Sequence, residues 1–189
     1  MSTVLTQGIV LRQESHKDFD RQYIIYTRDL GKVMAVAKGG QKIVSKLSPH
    51  LGGFFISDLM LAQGVAFYRI AASQIAQNFS ALSMDLEKIV LANYIWELID
   101  KAVKFDYTDT VLFEILADFL DGLSSAASRE KSLLAFNATV FNILSHLGYC
   151  PIIRTIKSQR QLFGALNNLA IQVVEMDLRS KNLVGKLFT

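Results

Sequence analysis

The pattern of apolar and polar positions changes near residue 80. Before that point, short runs rich in β-branched and aromatic residues are separated by segments that contain Asp, Gly or Pro, and this pattern predicts β-strands. The predicted strands span residues 4–11, 22–27, 32–37, 54–62 and 66–72. Asp29-Leu30-Gly31 and Gln63-Gly64 mark tight turns, because Gly tolerates the positive φ that many such turns need.

After residue 80 the apolar positions recur with the period of an α-helix. The predicted helices span residues 83–104, 109–123, 129–147 and 165–178, and a last helical turn or two covers 180–188. Ser83 and Thr108 are the candidate N-caps of the first two helices, and Gly148 ends the third. The polar stripes of these helices are narrow, so the helices are expected to bury one another.

These patterns predict an α+β protein with two parts. Five short strands with one long connection after the third suit a five-stranded barrel of the OB type, which we place at residues 1–78. An all-helical domain follows at residues 79–189. The sequence shows no repeat of 20–50 residues and no linker rich in Gly, Ser or Pro, so the two parts are expected to be closely packed.

Composition narrows the class of protein. The chain has 189 residues, 51% of them hydrophobic, which excludes disorder for most of its length. Charged residues interrupt each apolar stretch before it reaches the ~20 residues of a membrane span. Met1 is not followed by the basic and apolar regions of a secretory signal, and the single Cys150 cannot form an internal disulfide. We therefore expect a cytoplasmic protein without contact to membranes.

The net charge of +3 hides an asymmetry along the chain. Residues 1–78 carry 9 basic and 5 acidic side chains, residues 79–151 carry 5 and 10, and residues 152–189 carry 6 and 2. A basic segment beside an acidic one indicates that part of the molecule faces a polyanion.

The residue inventory offers little support for an enzyme. His16, His50 and His146 are scattered, and no His or Cys pair has the spacing of metal ligands. Gly39-Gly40-Gln41-Lys42 lacks the remainder of a phosphate-binding loop, and there is no Gly-x-Ser-x-Gly motif. We expect no catalytic residues, no metal and no cofactor.

The clearest local signal is a basic stretch without acids between Asp29 and Asp58. It contains Lys32, Lys38, Lys42 and Lys46, with a flexible Gly pair and Ser45 among them. Lysines of this spacing can follow a phosphate backbone, and a serine hydroxyl can donate a hydrogen bond to a phosphate oxygen. The main candidates for DNA contacts are Lys38, Lys42 and Lys46, and the secondary candidates are Lys32, Arg12, Arg21 and Arg69. An ordinary solvated loop explains the same composition about equally well.

Several short segments, taken in order, resemble one known family. They are Gly8-Ile9-Val10-Leu11-Arg12, Asp20-Arg21, Tyr26-Thr27-Arg28, Gly31-Lys32-Val33, Ala37-Lys38-Gly39, Ser45-Lys46-Leu47, residues 51–61, Leu147-Gly148-Tyr149 with Pro151, and Leu178-Arg179-Ser180-Lys181. Their order and spacing resemble those of the RecO family, the recombination mediators of bacterial DNA repair.

The resemblance implies an N-terminal OB-fold, a helical second domain and a non-enzymatic role in recombinational repair at the bacterial nucleoid. It also implies binding of single- and double-stranded DNA and annealing of complementary strands. The implied partners are RecR, the C-terminal tail of single-strand-binding protein and, indirectly, RecA.

The sequence departs from the family at a zinc module. Many members carry a Cys-x-x-Cys pair where this chain has Ile156 and Gln159, and Cys150 has no second cysteine to join it. One cysteine and three dispersed histidines leave no set of ligands for tetrahedral zinc. We therefore expect elemental analysis of the purified protein to find no stoichiometric zinc.

The acidic tail of a single-strand-binding protein would need cations beside an apolar groove. The cations nearest the predicted apolar helices are Arg154, Lys157, Arg160, Arg179 and Lys181. These side chains serve equally well simply to keep an apolar C-terminal third in solution. The alternative function is a protein-interaction adaptor whose helices dock a partner and whose basic barrel is incidental. Salt-sensitive retention on single-stranded DNA separates these two functions.

Overall fold

The N-terminal part of the chain is a five-stranded β-barrel. The structure, a computed structural model, describes residues 2–16, 19–40, 50–149, 158–175 and 178–187. The strands are β1 (Thr3–His16), β2 (Asp20–Thr27), β3 (Gly31–Ala37), β4 (Phe55–Ala62) and β5 (Tyr68–Asn78). All five predicted strands are present, and β1 and β5 extend beyond the predicted ends.

The strands form a closed barrel in the order β1-β2-β3-β5-β4. One half of β1 pairs with β2 and the other half with β4, and Gly8 takes part in both ladders, opposite Thr27 and opposite Ser57. All neighbouring pairs are antiparallel except β3 and β5, which run parallel where Val36 lies beside Arg69. This order confirms the predicted OB-type barrel.

The barrel interior is filled by side chains that alternate along the strands. Tyr23, Ile25, Val33, Leu59 and Leu61 are each almost completely buried in one cluster. Because side chains on a strand point alternately to its two faces, the residues between them face away from this cluster, where Ile24 is also buried and Met60 is 38% exposed. The predicted apolar runs thus divide into a core face and an outer face.

A segment from the helical half of the sequence belongs to the barrel unit. One compact unit comprises residues 1–80 and 103–113, and the other comprises 81–102 and 114–189. The backbone N–H of Asp106 donates to the carbonyl of Lys32 at 2.9 Å, and the Tyr26 hydroxyl donates to the carbonyl of Asp109 at 3.1 Å. The predicted division at residue 78 did not anticipate this segment, which we call the strap (residues 103–113).

Within the described residues, five α-helices follow the barrel. They are α1 (Leu86–Ala102), α2 (Thr110–Ser125), α3 (Arg129–His146), α4 (Gln159–Val174) and α5 (Lys181–Leu187). A short 3-10 helix, Ser80–Met84, precedes α1. None of the described helices combines the length and the apolar character needed to cross a membrane.

Two predicted N-caps are wrong, and one helix begins earlier than predicted. The Asp85 carboxylate accepts hydrogen bonds from the N–H groups of Glu87 and Lys88, so Asp85 rather than Ser83 caps α1. Asp109 rather than Thr108 caps α2, since its carboxylate accepts from the N–H of Leu112 at 3.0 Å. Helix α4 starts at Gln159, directly after its N-cap Ser158, instead of at residue 165. The prediction missed this start because the first turn of α4 is polar.

Aromatic side chains form the centre of the helical unit. Tyr94 of α1 meets Phe136 of α3 edge to face, with ring centroids 5.2 Å apart, and Phe163 of α4 lies 6.0 Å from both rings. The Tyr94 hydroxyl donates to the side-chain oxygen of Asn167 at 3.0 Å. Burial, with a smaller effect of the nearby Glu97 charge, raises the pKa of the Tyr94 phenol above its ordinary value. The phenol therefore stays protonated and keeps this hydrogen bond.

Candidate nucleic-acid interface

One cavity on the barrel is formed by the loops at one end of its strands. It has a volume of about 290 Å³ and involves the end of β1, the start of β2, the end of β3 and the loop between β4 and β5. We call it the loop cavity. Its lining residues are His16, Asp20, Val36, Lys38, Ala62, Gln63, Gly64, Val65, Ala66, Phe67, Tyr68 and Arg69.

Two of the predicted DNA-contacting cations line this cavity. Lys38 directly follows β3 and Arg69 is the second residue of β5, and both side chains are exposed. The parallel pairing of Val36 with Arg69 places the end of β3 beside the start of β5. The pairing of β3 with β5 thus brings Lys38 and Arg69, which are 31 residues apart in the sequence, to the same cavity.

A third predicted cation lies on the neighbouring strand. Arg21 pairs with Ala37 across the β2–β3 ladder, one position from Lys38. Its guanidinium donates to the side-chain oxygen of Gln13 at 3.3 Å. Because Ala37 points into the barrel core, Arg21 lies on the opposite face of the sheet from Lys38, and it does not line the loop cavity.

The cavity also holds one carboxylate. Asp20 accepts a hydrogen bond from the backbone N–H of Gly39 at 2.8 Å, which ties the turn after β3 to the start of β2. The acid thus fixes the backbone next to Lys38. Counting Lys38 and Arg69 against Asp20, the lining keeps a positive excess, which favours an anionic ligand.

Aromatic side chains lie next to these cations. His16 and Phe67 meet edge to face, with ring centroids 5.7 Å apart, and Phe67 remains 39% exposed. By contrast Tyr23 and Tyr26, two tyrosines of β2, are 0% exposed and cannot stack a base. The sequence pattern alone identified neither His16 nor the loop position of Phe67 as part of one site.

Lys32 does not belong to this interface. It is 4% exposed, and its ammonium lies 4.5 Å from the ring centroid of Phe105 in the strap, a cation–π geometry. A buried lysine that is held in this way cannot reach a phosphate outside the barrel. The prediction that Lys32 contacts DNA is therefore corrected, and the lysine is instead part of the strap's attachment.

The other predicted DNA contacts have different positions. Arg12 is exposed on β1, where its guanidinium pairs with the Glu14 carboxylate, and it does not line the loop cavity. Lys42, Ser45 and Lys46 lie outside the described residues. They stay predictions, and they follow Lys38 in sequence on the same connection.

Three of the five predicted partner-binding cations lie in the described part of the helical unit. Arg160 is exposed in the first turn of α4, Arg179 precedes α5, and Lys181 begins α5. Arg154 and Lys157 lie outside the described residues. The candidates that can be placed therefore mark the starts of two helices.

Glu97 of α1 holds the segment that carries Arg179. Its carboxylate accepts from the N–H groups of Arg179 and Ser180 at 2.8 and 2.9 Å, and from the Ser180 hydroxyl at 2.6 Å. The ammonium of Lys101 lies 2.8 Å away. Burial raises the pKa of Glu97, but the hydrogen bonds outweigh burial, so the pKa falls from 4.5 to about 2. We call this arrangement the Glu97 clasp.

No cluster of three or more His, Cys, Asp and Glu side chains suited to a metal ion occurs within the described parts of the chain. The charged and aromatic groups of the loop cavity are instead the types that bind phosphates and bases.

Comparison of the sequence with known proteins finds matches for both halves of the chain. Residues 1–79 match the family described as "Recombination protein O N terminal", and residues 83–155 match "Recombination protein O C terminal". The chain is 29% identical over 153 residues to the DNA repair protein RecO of Caldanaerobacter subterraneus subsp. tengcongensis, covering 81% of this chain and 61% of the relative. It is 33% identical over 146 residues to that of a Roseiflexus species, covering 77% and 50%. The chain thus spans only about half to three fifths of these relatives.

Proposed function

Since the chain belongs to the RecO family, we propose that it acts in DNA recombination and repair by binding DNA through its barrel. The proposed role is that of a non-enzymatic mediator. It binds single- and double-stranded DNA and anneals complementary strands. Together with RecR it assists RecA on DNA that is coated by single-strand-binding protein.

The observation that carries this proposal is the composition of the loop cavity. Lys38 and Arg69 supply positive charge beside the exposed ring of Phe67, between loops that OB-type barrels use to bind oligonucleotides. Lysine offers no bidentate fork to a base edge, so phosphate contacts of this kind carry little sequence information. The proposed binding is therefore independent of sequence.

Charge reversal in the cavity tests the proposal. The double variant Lys38→Glu with Arg69→Glu should weaken binding of single-stranded DNA and flatten its salt dependence, because each lost phosphate contact changes the log–log slope by about 0.7. The control is Lys131→Glu with Lys186→Glu, which makes the same change of charge at exposed positions of the helical unit. Fluorescence anisotropy across a salt series measures both quantities.

The predicted lysine stretch is tested in the same assay. Lys38→Glu, Lys42→Glu and Lys46→Glu together should reduce affinity for every DNA sequence alike. If this variant folds but keeps the wild-type affinity and slope, the stretch does not contact DNA. If wild-type binding is itself insensitive to salt, the adaptor function is favoured instead.

We also propose that the helical unit docks the acidic tail of single-strand-binding protein. The cations proposed for it are Arg154, Lys157, Arg160, Arg179 and Lys181, which can pair with tail carboxylates. Titration of a labelled tail peptide should show weaker binding to the variant Arg154→Ala, Lys157→Ala, Arg160→Ala, with DNA binding retained. Lys131→Ala serves as the control, and equal peptide affinities would refute this docking site.

A further inference from the structure

We propose that the loop cavity is a subsite for one unpaired nucleobase, which stacks on Phe67 while Lys38 and Arg69 contact the flanking phosphates. This inference rests on the proposed DNA binding, and it adds recognition of a base to the proposed phosphate contacts. It assigns to the barrel a preference for single-stranded over double-stranded DNA.

The size and lining of the cavity suit a single base. Its volume of about 290 Å³ is just below the ~300–1,000 Å³ typical of small-molecule sites, so it has room for one base and not for a larger ligand. Val36, Ala62, Val65 and Ala66 provide an apolar lining, and the charged groups come from Lys38, Arg69 and Asp20. The flat face of a base, with a phosphate on either side of the nucleoside, matches this division between an apolar lining and cations.

Phe67 has the position that a stacking platform requires. It lies in the loop just before β5, next in sequence to Tyr68 and two positions from Arg69, so its ring and the cation share one short segment. His16 contacts Phe67 edge to face, which orients the ring without burying it. An aromatic side chain that keeps 39% of its surface exposed beside cations can stack a base with little rearrangement.

A neighbouring cavity provides an internal comparison. It lies on the other side of the same loop, shares residues 63–68 with the loop cavity, and is completed by Met34, Phe105 and Asp106. Its lining, all within the described residues, contains the carboxylate of Asp106 but no lysine or arginine. Lys32 lies behind Phe105 but is buried, so of these two linings only the loop cavity offers exposed cations to a nucleotide phosphate. Both cavities contain exposed aromatic side chains.

A base within a duplex cannot enter such a cavity without leaving its stack. Flipping a paired base costs a few kcal/mol, whereas a base of a single strand is already free to rotate. The subsite therefore adds affinity for single strands, and double-stranded DNA is left with the phosphate contacts alone.

The experiment compares two oligonucleotides of equal length and charge, one of thymidines and one of abasic sites. Because both carry the same phosphates, their affinity difference in the wild-type protein measures the contribution of bases. Phe67→Ala should lower affinity for the thymidine strand roughly 5- to 150-fold, the range that corresponds to ~1–3 kcal/mol per stacked base. The same variant should change affinity for the abasic strand less than about twofold, and the salt slope should stay unchanged.

Three further variants exclude a general structural effect. Phe67→Trp keeps an aromatic face and should retain the thymidine preference, whereas Phe67→Leu keeps apolar volume without a ring and should lose it. Tyr149→Ala removes an aromatic side chain of similar exposure, 42%, from the helical unit and should leave both affinities unchanged. Thermal melting confirms that each variant is folded.

The possible outcomes separate this inference from the proposed function. Equal binding of both strands by the wild-type protein, unaffected by Phe67→Ala, would overturn the base subsite but leave phosphate binding intact. Absence of salt-dependent binding to either strand would overturn both. A loss for the thymidine strand alone, restored by tryptophan, supports the subsite.

Discussion

The barrel unit and the helical unit hold their candidate binding residues by different means. In the barrel, strand register and the hydrogen bond from the Gly39 N–H to Asp20 position Lys38 and Arg69, and neither cation fixes the backbone that carries it. In the helical unit, the side chain of Glu97 accepts hydrogen bonds from the segment with Arg179, and Leu178 and Val184 of the same region are buried. Charge variants in the barrel are therefore expected to change binding alone, whereas variants near the clasp change binding and stability together.

The strap, like the candidate binding residues of the barrel, is positioned mainly through backbone groups. The carbonyl of Lys32 accepts from the N–H of Asp106, and the carbonyl of Asp29 accepts from the Thr108 hydroxyl at 3.2 Å. Gly31 has a φ of +67°, and a β-carbon there would lie 1.9 Å from the carbonyl oxygen of Tyr107. The strap can thus lie on the β2–β3 turn only because this position lacks a side chain.

Gly31→Ala should produce the largest loss of stability among these predictions. It combines a left-handed backbone conformation with a steric clash against backbone, and we expect it to lower the free energy of unfolding by about 2–4 kcal/mol. Urea denaturation measures the change. An unfolding midpoint equal to that of the wild type would mean that the strap does not rest on this turn.

Glu97→Gln should have a smaller and pH-dependent effect. Because the pKa of Glu97 is about 2 in the folded protein, below its ordinary 4.5, the carboxylate stabilises the fold fully above about pH 4.5. This contribution is lost as the pH falls from about 4.5 towards 2. At neutral pH we expect the variant to lose about 1–2 kcal/mol, since charge-assisted hydrogen bonds become ordinary ones.

Denaturation at several pH values checks the clasp. The difference between wild type and Glu97→Gln should shrink steadily below pH 4.5. Asp118→Asn removes an exposed carboxylate from α2 and serves as the control, with a difference near zero throughout. A constant difference at all pH values would show that the ionised carboxylate of Glu97 is not what fastens the segment.

The sequence predicts the elements of this molecule better than their ends. Apolar alternation located every strand, but the last residues of β5, including Gln74 and Asn78, are polar and exposed and carry no strand signal. Similarly, the first turn of α4 is polar, so its start was placed six residues late. Hydrophobic periodicity reflects burial, so it does not reveal the part of a strand or helix that is exposed to solvent.

The binding site was predicted in part, because its cations come from separate segments. The abundance of lysine after Asp29 identified Lys38, and the basic composition of the barrel suggested Arg69. Only the parallel pairing of β3 with β5 shows that these two cations share a cavity with Phe67. Likewise, no local pattern predicts that Phe105 covers Lys32, since the two residues are 73 positions apart and meet through the strap.

Substitution of two glycines in the helical unit should change the free energy of unfolding least. Because neither new β-carbon contacts another group, these changes measure backbone conformation without a packing effect. A β-carbon at Gly164 within α4 or at Gly148 after α3 meets no atom within 4 Å, but Gly148 has a φ of +89°. Gly164→Ala should therefore raise the free energy of unfolding by about 0.5–1 kcal/mol, because alanine favours a helix. Gly148→Ala should lower it by about 1 kcal/mol, since an L-residue is strained at that φ. Paired urea titrations measure the two signs, and stabilisation by both substitutions would contradict the left-handed end of α3.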